Sequence, residues 1–101
     1  MNVPESHIRE ILRRNAARYN NEWWPTRSIR DAFNLGRGQV MESDVRFDAT
    51  SEDVLRTLAK LEDEGAITSK HITLFGVGSR VWSLAELADM NDLRKKVMCN
   101  D

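Results

Sequence analysis

Seven arginines fall within the first 38 residues of this 101-residue chain: Arg9, Arg13, Arg14, Arg18, Arg27, Arg30 and Arg37. They face four acidic residues, so that third of the chain carries +3. An excess of this kind is what a phosphate backbone requires. Residues 39–101 hold eight basic and twelve acidic residues, or -4, and the net charge is -1. Any nucleic-acid surface therefore has to draw heavily on the first third. The adjacent Trp23 and Trp24 offer a second kind of chemistry, as stacking platforms for bases or as anchors for a protein partner. A domain this small also needs its largest side chains inside, so at least one of the two is expected in the core.

Other chemistries find no support. His7 and His71 are far apart, and neither stands at ligand spacing from Cys99, so no metal site is expected. No G-x-S-x-G, P-loop or H-E-x-x-H pattern is present. Glu62, Asp63 and Glu64 run consecutively and read as solvated charge, not as a catalytic pair. The expectation is a protein that is not an enzyme and carries no cofactor. With a single cysteine no internal disulfide can form, which suits the cytoplasm. No apolar run approaches the roughly 20 residues that span a bilayer, and "MNVPESHIRE" lacks the apolar stretch of a secretory signal.

The elements that must position these side chains are legible from periodicity. Residues 4–20 predict an amphipathic helix, with Ile8, Ile11, Leu12 and Tyr19 along one face and Asn2–Glu5 as a capping box. Asn20, Asn21 and Pro25 end it. Thr26 or Ser28 caps a second helix, about 27–34, with Ile29, Ala32 and Phe33 inward. Residues 35–49 lack a helical period. Gly36 and Gly38 mark a turn, and Val40, Val45 and Phe47 alternate as in a short strand or ordered loop.

A third helix starts at a Thr50 or Ser51 cap, turns Val54, Leu58 and Leu61 inward, and stops at Gly65. Its outward residues are Glu52, Arg56, Ala59, Lys60 and Asp63, with Glu52–Arg56 and Lys60–Glu64 at pairing distance of four residues. Ile67 to Trp82 predicts a β-hairpin turning at "GVGS", 76–79. Ser83 and Glu86 read as the capping box of a last helix carrying Leu87, Met90, Leu93 and Val97. The chain is expected to be a single domain, 1–101, with its core at about 6–84 and the C-terminal helix at about 84–98.

With "EDVLRTLAKLEDEGAI" followed by "VWSL", this order resembles the winged helix-turn-helix superfamily over residues 6–84. The matching features are Val54, Arg56, Leu58, Leu61, Glu64-Gly65, Ile67 and Trp82. The resemblance implies an α+β fold, mostly helical: a three-helix core, a β-hairpin wing and an additional C-terminal helix. It implies that the third helix enters the major groove of double-stranded DNA through Thr50, Ser51, Glu52, Leu55, Arg56 and Lys60, with Arg56 placed for guanine. Wing contacts would come from Lys70, His71 and Arg80, and phosphate contacts also from Arg27 and Arg30.

Three features depart from that pattern. Carboxylates crowd the third helix, the segment before it is long, and the hairpin tip is apolar at Leu74, Phe75 and Val77. The expected function is a sequence-specific DNA-binding transcriptional regulator, dimeric through the C-terminal helix. The alternative is a winged-helix protein-interaction module of phage or mobile-element type, docking through the apolar tip.

Overall fold

The computed structural model describes residues 1–37, 46–74 and 76–87, without the side chain of Leu74. The order is α1 (Glu5–Tyr19), β1 (Trp24–Pro25), α2 (Thr26–Asn34), α3 (Ser51–Asp63), β2 (Ile67–Leu74) and β3 (Val77–Leu84). This is an α+β arrangement in which three helices pack on one face of an antiparallel sheet ordered β1-β3-β2. The expected strand at Val40 and Val45, the tip residue Phe75, and the C-terminal helix from residue 88 with any dimer seam it forms lie outside the described residues.

Each helix buries the stripe its spacing predicts. Ile8, Ile11 and Leu12 of α1, Ile29, Ala32 and Phe33 of α2, and Val54, Leu58 and Leu61 of α3 form one core with Ile67, Trp82 and Leu84. Both α2 and α3 end in the same way. Arg37 N–H reaches Ala32 O (3.1 Å) and Gly36 N–H reaches Phe33 O (2.9 Å); Ala66 N–H reaches Leu61 O and Gly65 N–H reaches Glu62 O, both 3.0 Å. Both closures need a left-handed residue, and Gly36 (φ 78°) and Gly65 (φ 79°) supply it without a Cβ penalty. The closure at Gly36 is why α2 does not run on into the long segment. Asn34 then holds the returning chain, with its side chain donating to Ala49 O (3.0 Å) and accepting from Ala49 N–H (2.8 Å). Phe47 stacks on Phe33 at 4.6 Å beside them.

Several expectations are corrected. The predicted capping box at Asn2–Glu5 is absent, because Pro4 is the N-cap and Glu5 reaches instead to Lys60. Tyr19 is exposed: the core ends one turn earlier, and the ring meets Trp24 edge-on at 5.4 Å. Thr26 and Ser28 do not cap α2, whose N-cap is Pro25. The sheet gains a third strand from the segment read as the end of the first helix, and helices make up about half of the described residues, where a mostly helical fold was expected. Pro25, lacking an N–H, is tolerated there because β1 is an edge strand. The hairpin closes earlier than "GVGS": Leu74 pairs with Val77, leaving two linking residues, of which Gly76 has φ 77°. Ser83 is not a cap. It is the fully buried penultimate residue of β3, and helix begins at residues 85–87.

Trp82 ties these layers together. Its ring is 1% exposed, its backbone lies between Trp24 and Ser69, and its indole N–H donates to Thr26 Oγ1 at 3.0 Å. That hydrogen bond joins the central strand to the first residue of α2. Thr26→Val keeps the shape but leaves the indole N–H without its acceptor. It is expected to lower stability by about 1–2 kcal/mol, read as a lower urea midpoint at unchanged slope.

Candidate functional site

Helix α3 starts at Thr50, one of the two caps expected, and Asp53 completes a capping box with it. Thr50 Oγ1 accepts from Asp53 N–H (3.1 Å), and Asp53 Oδ2 accepts from Thr50 N–H (3.0 Å). The Thr50 backbone N–H is the main reason that the Asp53 carboxyl lies below its ordinary value, against an opposing effect of burial. The buried stripe of Val54, Thr57, Leu58 and Leu61 then divides the exposed remainder of the helix into two flanks.

One flank faces the N-terminal segment and α1. Thr57 Oγ1 donates to Val3 O at 2.6 Å, Lys60 Nζ lies 3.1 Å from Glu5, and Arg56 lies 3.8 Å from Asp53. The hydrogen bond to Glu5, followed by its charge, raises the Lys60 pKa. The close ion pairs are these and not Glu52–Arg56 and Lys60–Glu64 as expected from spacing, although the Glu64 charge also helps to raise the Lys60 pKa. Lys60 goes to α1 because the start of that helix is brought alongside. Arg56 and Lys60 still expose about 70% of their side chains (70% and 69%) and line a shallow hollow with Asn2, Val3, Pro4 and Glu5.

The other flank faces α2 and the hairpin. Arg30 Nη1 of α2 donates to Ser51 Oγ at 2.8 Å while its other nitrogens hold Asp31. Arg80 Nη2 of β3 donates to Glu62 Oε1 at 2.8 Å, and its Nε donates to Ser69 Oγ at 3.0 Å; the Ser69 hydroxyl also bonds Glu62. The Arg80 guanidinium lies 4.5 Å from the centre of the Trp82 ring. Arg27, Arg30 and Asn34 recur at i, i+3 and i+7 along one stripe of α2. Arg27 is exposed and has no ion-pair or hydrogen-bond partner among the described residues. The notch between α2 and the hairpin therefore shows α3 edged by Arg27, Arg30 and Arg80.

The structure gathers some of the expected contact residues and separates others. Thr50, Ser51, Arg27, Arg30 and Arg80 surround the notch, and His71 pairs with Arg80 in the strand register. Lys70 pairs with Val81 and so lies on the opposite face of the hairpin, where its Nζ sits 4.2 Å from the centre of the Trp23 ring. Trp23 thus packs on the outer sheet face, and Trp24 packs against the core. Val77 shares the outer face and is 67% exposed. Arg56 and Lys60 point to the other side of α3. Sequence reasoning missed the links Arg30–Ser51, Glu62–Arg80 and Lys60–Glu5, because their partners are 18 to 55 residues apart. The period of two in β3 could have placed Arg80 on the face of Trp82.

Along α1, Arg13 and Arg14 both bind Glu10, and the Arg13 hydrogen bond leads in holding the Glu10 carboxyl below its usual range. Arg13 and Arg14 are thus engaged within their own helix. Among the described residues no helix is long and apolar enough to cross a membrane.

Fold and site together define a small α+β protein that presents one helix in a notch between a second helix and a β-hairpin. No family model and no curated protein matches the chain. A solved structure, Stf76 from the Sulfolobus islandicus plasmid-virus pSSVx, is similar to it with a TM-score of 0.55. The match covers 85% of this chain and 94% of that one, at 24% sequence identity. That level of identity speaks to fold alone.

The Asp53 cap gives a pH dependence of known sign. A carboxyl with a lowered folded-state pKa stabilises the protein fully above its unfolded value, about 3.9, and this contribution is lost as pH falls through the folded value. Wild-type protein is expected to lose more of its urea midpoint between about pH 5 and pH 2 than Asp53→Asn, whose amide oxygen accepts the same bond without titrating.

Proposed function

We propose that this chain is a DNA-binding regulator of the winged helix-turn-helix class, with α3 as the helix that enters the major groove and the β2–β3 hairpin as the wing. The observation that carries the reading is the notch itself. An exposed helix face is bordered at its two ends by arginines from two other elements, and cations so placed suit contact with a phosphate backbone. Arg27, Arg30 and Arg80 serve as phosphate contacts. A guanidinium has five N–H donors, of which Arg30 uses three and Arg80 two among the described residues, so both can meet a phosphate with the links to Ser51 and Glu62 in place. Arg56 and Lys60 lie beyond the far edge of the notch and would meet a phosphate rather than a base. The reading includes no catalytic step and no cofactor.

A second reading is favoured by the outer sheet face. Val77 is 67% exposed there, on the face that also carries the half-buried Ile72 and Trp23, which suits a protein partner as in an accessory protein of a mobile element. The plasmid-virus source of the structural neighbour suits either role.

Titration of fluorescent pooled random duplexes at low salt separates the two. The DNA reading expects affinity to fall steeply as salt rises, and Arg27→Ala to reduce the slope of log K against log salt by about 0.9. Absence of salt-dependent binding, with a stoichiometric protein partner recovered through Val77, would favour the second reading instead.

A further inference from the structure

The two flanks of α3 differ in what they leave available for recognition. Ser51, Leu55 and Glu62 stand at i, i+4 and i+11, one stripe of a helix with 3.6 residues per turn. The two ends of this stripe are tied by Arg30 to Ser51 and by Arg80 to Glu62, so it faces the notch. Ser69 adds a further bond to Glu62. The polar side chains of the stripe are therefore already engaged inside the protein. Between them stands Leu55, flanked in sequence by buried Val54 and exposed Arg56, and itself 40% exposed. Ala59, one turn further on, is also exposed. The cations of α3 lie on the other flank, toward Glu5 and Asp53. What the notch offers at its centre is an apolar surface rimmed by arginines.

On the major-groove edges of the base pairs the apolar feature is the 5-methyl group of thymine. A leucine can neither donate nor accept a hydrogen bond, so its means of telling one base from another is to bury that methyl. We propose that Leu55 is the specificity-determining side chain of α3 and selects duplexes that present thymine methyl groups to the notch. The inference rests on the DNA-binding reading above and sharpens it. Sequence preference comes from an apolar contact in the notch, and Arg56 contributes affinity without preference.

Removing the methyl alone tests this. Duplexes selected from a random pool by the full-length protein are resynthesised with deoxyuridine in place of thymidine, which keeps the pairing and deletes the methyl. Wild-type protein is expected to bind the thymidine form about fourfold more tightly for each methyl it buries. Leu55→Ala is expected to keep salt-dependent binding and to bind both forms alike. Arg56→Ala is expected to weaken both forms equally and leave their ratio unchanged. Circular dichroism controls for folding, and because Leu55 lies outside the core its truncation should leave the spectrum intact. Equal wild-type affinity for the two forms overturns the inference while leaving DNA binding in place, as does a ratio that survives Leu55→Ala. Failure to bind either form overturns the DNA-binding reading and the inference with it.

Discussion

Trp82 is the contact on which the arrangement depends. Its ring fills the core between the helices and the sheet, its backbone is the pairing centre of the three strands, and its indole N–H reaches Thr26 on α2. A buried indole needs an acceptor. Meeting that need sets where α2 begins relative to β3, and so where Arg27 and Arg30 stand. On the same face of the strand, Arg80 lies over the Trp82 ring and reaches Glu62 on α3. One tryptophan thus sets the position of both walls of the notch around α3.

Electrostatics explains how a chain of net charge -1 can present a basic rim. The carboxylates do not cancel the arginines uniformly. Glu10 absorbs Arg13 and Arg14, Glu5 engages Lys60, and Asp53 serves the cap of its own helix. Arg27 has no such partner among the described residues. Glu62 holds Arg80 in place at the edge of the notch, so one acidic residue that looked repulsive to DNA acts as a support for a cation. Glu52 and Asp63 remain exposed on α3 and are charges that a DNA complex has to accommodate.

Much of the fold was legible because it follows from local periodicity. The buried stripe of α3, its cap at Thr50 or Ser51 and its Gly65 stop involve residues within one or two helical turns of each other. The hairpin was legible from its β-branched content, although its turn was placed two residues late because two glycines compete for the turn and pairing chose Gly76. The Trp24–Pro25 strand was not legible. A two-residue strand has no period, and its pairing with Trp82 and Val81 joins segments more than fifty residues apart. Ser83 was misread for the opposite reason. It matched a local capping pattern, but burial within β3 took precedence over it.

The candidate site was legible in its residues and not in its geometry. The sequence alone determined that α3 has one apolar face, that its outward surface mixes charges of both signs, and that the arginines concentrate in the first third. Those properties depend on residue type and a 3.6-residue repeat. Tertiary structure decided which flank of α3 faces the notch, because that depends on how α2 and the hairpin dock around Trp82. It turned Arg56 and Lys60 toward Glu5 and the N-terminal segment, placed Lys70 on the far face of the sheet with Trp23, and left Leu55 between Arg30 and Arg80. Side chains one or four positions apart on a helix can face different neighbours, and only the packing of distant segments assigns those neighbours.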